Sequence, residues 1–393
     1  MHLHEEPIDL LVVGAGPAGS RAAAIAAKEK VRTVLIDAKP RIGEQPHCGE
    51  FVPARLFSEF ALDKASIIQS VSLMETRILS SHELTEQASP SQEQEFGTTC
   101  SSARPDTMET YVSSTIPSIG FLVDRVRFDR DLCREAAGLG VTVFCSTRLL
   151  RRENENWVVK CGSEETILRP KYIIAADGAI STVARSLGLR GHELLTGLQV
   201  EVPLIDSLDR TFVFLHRSFV GGYGWLFPKG KAANVGIGVV RGKEIHPKRI
   251  LIKFLESLLR QRMIRPGRLA ISGGQIPVSG LRETLVEGNV IFCGDSAGLT
   301  HPITGSGIPQ AVASGDLAGR AVALAIKTGS TQHLSDYNRE IRAGYAGIIG
   351  HALSKRTVMM RRWNDPDFAA TCMNSWIAFK GYRKRFKVTD EET

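Results

Sequence analysis

Paired cysteines, long apolar runs and, ahead of the C-terminus, dense basic tracts are what this 393-residue sequence lacks. Its seven cysteines, Cys48, Cys100, Cys133, Cys145, Cys161, Cys293 and Cys372, contain no C-x-x-C pair. An odd, scattered set of this kind argues against a disulfide framework, an iron–sulfur cluster or a zinc knuckle, so no metal site is expected. A reducing cytoplasm is the natural setting. No uninterrupted apolar run reaches the roughly 18 residues of a membrane-crossing helix. The N-terminal stretch MHLHEEPIDLLVVGAG runs straight into a strand pattern, without the order of charged, apolar and small residues that marks a signal peptide. The formal charge is +7, from 49 Lys and Arg against 42 Asp and Glu. That mild excess suits an anionic ligand or an acidic membrane face, and nucleic acid is not an expected partner. Hydrophobic residues make up 43% of the chain and charged residues 23%, enough apolar content to bury a core.

What is present begins with Ile8 to Val13, a short apolar run of the kind that forms a strand buried on both faces. GAGPAG follows at once, with Gly14, Gly16 and Gly19 in G-x-G-x-x-G spacing. An alanine-rich helix is predicted from Ala18 to about Lys30, then a second strand, VRTVLID, ending at Asp37. The first glycine allows a tight turn, the second lets a pyrophosphate approach the backbone, and the third lets helix and strand pack closely. A helix N-terminus adds free N–H groups and a positive dipole end. Asp37 is placed to accept a hydrogen bond from a ribose hydroxyl. Bare glycine spacing is weak evidence, but strand, helix, strand and acid in order make a strong case for a dinucleotide. This unit serves NAD and FAD alike.

Two later returns to the same sheet bear on that choice. KYIIAADGAISTVARSLG gives a strand followed by Asp177-Gly178, and NVIFCGDSAGLTHPITGSGI gives a strand followed by Gly294-Asp295. Gly305 and Gly307 then lead into a helix starting near Ile308. A long cofactor lying across the sheet needs both returns, and the late helix N-terminus favours electron density at a flavin edge. With VDRVRFDRDL (Val123 to Leu132), these motifs resemble the FAD-dependent p-hydroxybenzoate-hydroxylase-like superfamily. The fold class implied is α/β: a Rossmann-like FAD unit, a mainly antiparallel substrate sheet and a C-terminal helical segment.

A narrower resemblance lies in YGWLFPKGKAANVGIG, where Tyr223, Trp225, Phe227 and Pro228 are followed, seven residues on, by Gly236 and Gly238. This pattern, with the loop GEQPHCGE, is similar to the geranylgeranyl reductase family. Alternation puts three rings on one strand face, which suits a long apolar substrate, although an isolated aromatic stripe is more often core. The resemblance implies saturation of isoprenoid C=C bonds by hydride from reduced flavin N5 plus a proton. The chains would be geranylgeranyl groups on a lipid, a chlorophyll precursor or a quinone. The electron donor would be transient NAD(P)H or a reduced ferredoxin. The alternatives are a flavin monooxygenase or halogenase on the same fold, and a flavin electron carrier.

The cofactor-binding candidates are Gly14, Gly16, Pro17, Ala18, Gly19, Asp37 and Ala38, then Cys48 and Gly49, then Arg125. Asp177, Gly178, Gly294, Asp295, Gly305, Gly307 and Ile308 complete them. Substrate candidates are Tyr223, Trp225, Phe227, Pro228 and Gly236. Cys48 is the catalytic candidate, as proton donor, polarising group or small packing residue; His47 is a weaker one. Phe51 stands where a small residue is common in the family and is expected to narrow the cavity.

Along the chain, residues 1–75, 110–190 and 270–345 read as a discontinuous FAD unit and 76–109 as a polar insertion. Residues 191–269 read as a substrate unit with a helix near Arg249 to Arg262, and 346–393 as a basic helical segment. There Trp376, Phe379, Tyr382 and Phe386 recur at helical spacing among Lys380, Arg383, Lys384, Arg385 and Lys387. That tail is either a docking helix or a peripheral contact with the inner face of a membrane.

Overall fold

The computed structural model describes residues 8–44, 48–79, 110–242 and 244–384. Among them, a six-stranded sheet runs in the spatial order Val286–Glu287, Val290–Phe292, Tyr172–Ala175, Leu10–Val13, Thr33–Ile36 and Thr142–Phe144. All its pairings are parallel except that of the short edge strand Val286–Glu287. The run LLVV is fully buried, as a central parallel strand covered on both faces must be. A three-stranded meander of Thr147–Glu153, Asn156–Cys161 and Glu164–Leu168 is attached.

The first helix spans Pro17–Lys28, and the chain then turns at Lys30 with φ +66°. A lysine therefore holds the left-handed position that glycine usually takes after a helix. The long helix Ile308–Thr328 packs closely on the first helix at two glycines. A Cβ at Gly315 would lie 2.2 Å from the carbonyl oxygen of Ala18, and one at Gly319 would lie 2.5 Å from that of Ala22. Alongside this contact, Asp316 pairs with buried Arg21 at 2.7 Å.

The second sheet has eight strands. Its order is Ala270–Pro277, Leu194–Pro203, Ala232–Val240, Gly224–Lys229, Arg210–Leu215, Ile67–Leu79, Thr110–Val123 and Phe51–Pro53. It is antiparallel apart from the pairing of Arg210–Leu215 with Ile67–Leu79. Helix Pro247–Arg260 covers one face, burying Leu251, Phe254 and Leu258 against Phe214, Leu226 and Ile237. The sheet cuts across the division drawn from chain order. Residues 67–79 and 110–123 lie within or beside the stretches assigned to the FAD unit and the insertion, yet they pair with residues 210–215 and 51–53. Such pairing depends on long-range register, which linear composition does not carry. Residues 80–109 of the insertion lie outside the described residues.

Helices Gly347–Arg361 and Phe368–Ser375 close the C-terminal end. The aromatic tail does not form one continuous helix. The helix stops at Trp376, in extended backbone, and among the described residues a short turn, Lys380–Arg383, follows. Trp376 is buried, 4.9 Å from the Tyr223 ring, and its indole N–H donates to Thr76 Oγ1 at 3.0 Å. Phe379 and Tyr382 join the same cluster, while Lys380, Arg383 and Lys384 are exposed. Phe386, Arg385 and Lys387 lie outside the described residues. Among the described residues, no helix is long and apolar enough to cross a membrane.

The glycine contact between the two helices makes a direct prediction. Gly315→Ala must push the helices apart, because the atom it meets is backbone. It should cost about 2 kcal/mol or more in urea unfolding, with the slope against denaturant unchanged.

Candidate functional site

A cavity of about 640 Å³ is lined by residues from both large sheets, a volume within the usual range for small-molecule sites. Its nucleotide end is the glycine turn. Gly14 has φ +100°, and a Cβ there would sit 2.4 Å from the Ala176 carbonyl oxygen. A Cβ at Gly16 would meet nothing within 4 Å, so that side of the backbone is open to a ligand. The first helix has no side-chain cap and no acid in its first turn, which leaves its N–H groups and dipole for an anion. Pro17 and Ala18 also line the cavity. Gly19 does not: a Cβ there would fall 1.8 Å from the Gly14 carbonyl oxygen, so its role is packing.

Asp37 and Ala38 line the same end. The Asp37 carboxylate accepts from the N–H groups of Ala15 and Lys39, both at 2.8 Å. It thus ties the glycine turn to the end of the second strand, and each oxygen keeps a second lone pair for a ligand hydroxyl.

The two later motifs converge here as well. Asp177, Gly178, Gly294, Asp295, Gly305, Gly307 and Ile308 all line the cavity. Asp177 Oδ2 accepts from the N–H groups of Thr182 and Val183 at 2.7 and 3.0 Å, whereas its Oδ1 is buried with no protein partner. Burial pushes the Asp177 carboxyl up, against the Ser181 hydroxyl and the backbone N–H groups that hold it down. Burial also pushes Asp295 up, opposed by Thr300, whose hydroxyl donates to it at 2.7 Å. The helix starting at Ile308 again lacks a side-chain cap and an acid in its first turn. A buried, unfilled carboxylate oxygen, an open glycine backbone and two uncapped helix N-termini on one cavity fit a long phosphate-bearing cofactor such as FAD. Among the described residues, no group of three or more His, Cys, Asp or Glu side chains is placed to hold a metal ion.

The loop before Gly305 is fastened through His301. Its Nδ1 accepts from the Thr304 N–H at 3.2 Å, which sets the proton on Nε2, 3.1 Å from the Tyr382 hydroxyl. Burial, with His351 nearby, lowers the His301 pKa to about 4, so the ring is neutral at neutral pH. The Tyr223 hydroxyl donates to the Thr304 carbonyl of this loop.

Cys48 and Gly49 line the cavity beside Phe227 and Trp225. The Cys48 sulfur accepts from the Glu50 N–H at 3.2 Å. Glu50 sits at φ +68° and is buried; its carboxylate meets Asn234 and Lys229, each at 2.7 Å. A Cβ at Gly49 would be 2.6 Å from the Phe227 ring, so only glycine fits against that wall. Arg125 is buried beside Cys48 and pairs with Asp129 through two contacts of 3.0 Å. Burial opposes the Arg125 charge, but Asp129 and Cys48 outweigh it and the net shift is upward. Burial raises the Cys48 thiol, and the Arg125 charge partly offsets this. Pro46 and His47 lie outside the described residues.

Tyr223, Trp225 and Phe227 all line the cavity, with ring centroids 5.8 Å apart for Tyr223–Trp225 and 6.5 Å for Trp225–Phe227. Tyr223 and Phe227 also back onto the C-terminal core, so the stripe is both cavity wall and core face. Pro228 and Gly236 do not line the cavity. Gly236 works from behind: a Cβ there would be 2.3 Å from the Trp225 ring. Phe51 does not narrow the cavity, because its ring lies across Gly120, where a Cβ would be 2.4 Å from it. Sequence reading missed Gln199, Ser272 and Gln275, which also line the cavity. A glutamine inside the apolar strand LLTGLQVEVP, and the Gly273-Gly274 pair beside the other two, were the available signals.

Comparison with known proteins agrees with this geometry. An FAD binding domain model matches residues 7–218, and a geranylgeranyl reductase catalytic domain model matches residues 198–273. A digeranylgeranylglycerophospholipid reductase of Methanocaldococcus jannaschii is 30% identical, with the alignment covering 91% of this chain and 88% of the relative. The protein of the same name from Methanocella arvoryzae is also 30% identical, over 88% and 85% of the two chains. A solved geranylgeranyl bacteriochlorophyll reductase-like structure from Thermoplasma acidophilum superposes with a TM-score of 0.75 at 26% identity, covering 95% of this chain and 92% of that one. A flavin-dependent halogenase, at 18% identity and a TM-score of 0.66, shares the fold alone. With a cavity built as the motifs require and relatives aligned along nearly the whole chain, this protein belongs to the geranylgeranyl reductase family of FAD-binding proteins.

Proposed function

We propose that this chain saturates C=C bonds of an isoprenoid chain, with geranylgeranyl groups on a glycerophospholipid as the leading substrate class. A chlorophyll precursor or a quinone carries the same chain chemistry. The observation that supports the reading is a single cavity holding a dinucleotide cradle at one end and, at the other, an aromatic wall facing a free thiol. The relatives' names point the same way.

Gly14, Gly16 and the first helix N-terminus would hold the FAD pyrophosphate, and Asp37 its ribose. Asp177, Asp295 and the backbone from Gly305 to Ile308 would hold the rest of the cofactor. Bound in its reduced form, FAD supplies the hydride. The chain's own part is to align the alkene against the wall of Tyr223, Trp225 and Phe227, limit water there, and deliver the proton to the second carbon. Cys48 is the donor in this reading. Its raised pKa keeps the thiol protonated at neutral pH, and the fixed charge of Arg125 stabilises the thiolate until solvent returns the proton. The electron donor is a nicotinamide or a ferredoxin-like protein. The exposed Lys380, Arg383 and Lys384 would give peripheral contact with an anionic bilayer, since the described tail aromatics point into the core.

Three expected outcomes test this. Purified protein carrying FAD, reduced chemically without oxygen and given a panel of geranylgeranyl compounds, should add hydrogen in pairs, read by mass. No gain on any of them, with oxygen uptake on an aromatic compound, would favour a monooxygenase instead. In the same assay Trp225→Ala should lose most turnover and keep its flavin, and Cys48→Ser should fall about 100-fold or more. Because the Cys48 pKa is raised, the wild-type alkaline limb should lie above the usual thiol range; an unchanged Cys48→Ser rate would leave Cys48 a packing role only. Reversing the three tail charges to Glu should weaken co-sedimentation with anionic vesicles, and equal binding would end the membrane contact.

A further inference from the structure

The Cys48 loop and the aromatic wall come from distant parts of the chain, and one side chain joins them. Gln199 lies on the strand Leu194–Pro203, opposite Gly236 on one neighbour and Ser272 on the other. It is only 6% exposed, and it lines the cavity. Its Oε1 accepts from the Trp225 indole N–H at 3.2 Å. Its Nε2 donates to the Cys48 carbonyl at 2.9 Å and to Ser272 Oγ at 3.1 Å.

The chemistry of the partners sets the orientation of the amide. An indole N–H only donates and a backbone carbonyl only accepts, so one flip of the amide satisfies both and the other satisfies neither. A glutamine amide offers both roles on one rigid plane. Leucine and methionine supply neither role, and glutamate lacks the donor. The room for this arrangement comes from Gly236. A Cβ there would fall 2.6 Å from Gln199 Cβ as well as 2.3 Å from the Trp225 ring. The first glycine of the G-x-G in the aromatic motif therefore clears space for a Gln199–Trp225 pair. On the other side, the Cys48 loop is held by Gln199 at its carbonyl and by the Phe227 ring against Gly49.

We propose that Gln199 is a positioning residue that sets the separation between the Cys48 thiol and the Trp225 face, and so the placement of the alkene relative to its proton donor. This rests on the reduction reading above for its effect on rate, but the positioning itself is a property of the folded protein and can be read without turnover. Buried amide hydrogen bonds are costly to leave half made, because each stranded partner keeps its desolvation cost. Loss of the amide should therefore let the loop and the indole move apart toward other partners.

The test uses the FAD-loaded full chain with Gln199→Leu and Gln199→Glu. The first removes every hydrogen bond at similar size. The second keeps the acceptor for Trp225 but sets a carboxylate oxygen against the Cys48 carbonyl. Flavin content, Cys48 alkylation by iodoacetamide resolved by peptide mass, and kcat and KM separately are the readouts. Both variants should keep flavin, alkylate Cys48 about tenfold faster and lose about 10- to 100-fold in kcat with little change in KM, the size expected for misplacement by about 1 Å. Trp225 fluorescence should change in Gln199→Leu and much less in Gln199→Glu. Wild-type alkylation rates in both variants would overturn the proposal. So would failure of both to fold, since Gln199 would then be a structural residue. If the wild type reduces no isoprenoid, the functional reading fails, and the alkylation rates still decide the positioning.

Discussion

Two helix N-termini must reach one cavity, and that demand depends on a close helix contact that only glycine permits. The first helix and the long helix after Gly307 cross where Gly315 and Gly319 face the carbonyls of Ala18 and Ala22. The same economy recurs at Gly14 and Gly19, where strand end and helix start nearly touch. Helix axes held this close bring both uncapped N-termini toward the same ligand. Arg21 and Asp316, buried together beside the crossing, add a charge pair whose register depends on it. Any bulkier residue would move both ends of the cofactor cradle at once.

The second sheet builds the aromatic side of the cavity by a different means. Its strands are held by long antiparallel ladders, and its cavity face combines rings with a few polar side chains. Glu50, Lys229 and Asn234 lock the backbone just after Cys48, and Gln199 locks the carbonyl of Cys48 itself. Arg125 and Asp129 come from the helix that follows the sheet's long hairpin and place a fixed positive charge beside the thiol. The half-buried thiol is thus held by contacts on both sides of its own backbone. The C-terminal segment completes the arrangement from outside. Trp376 supports the Tyr223 ring and Tyr382 supports His301, so the tail acts as a buttress for both the wall and the cofactor loop.

Much of the candidate cofactor site was legible in the sequence because its rules are local. A glycine turn, the helix that follows and the strand-end acid lie within 24 residues, from Gly14 to Asp37, and each residue type there has one physical job. The returns at Asp177 and Asp295 are equally local signals, and they reach the same cavity. The aromatic alternation at Tyr223, Trp225 and Phe227 was legible for the same reason, since a strand turns alternate side chains to one face. Where a residue acted through a distant partner, the pattern was silent. Gly236 was read as part of a substrate motif, yet its contribution is the volume it leaves for Trp225. Phe51 was read as an obstruction, yet Gly120, 69 residues away along the chain, receives its ring.

The sequence by itself determined the class of ligand, the two kinds of sheet and the chemical identity of the wall and the thiol. Those follow from spacing, periodicity and residue type, which act over a few residues. Tertiary structure decided which strands share a sheet, how residues 67–79 and 110–123 join the eight-stranded sheet, and which way Trp376, Phe379 and Tyr382 face. It also decided that a buried glutamine joins Cys48 to Trp225. The reason is the range of the forces involved. Backbone preference is set by neighbours in the chain, whereas register, burial and paired hydrogen bonds are set by whichever segments meet in space.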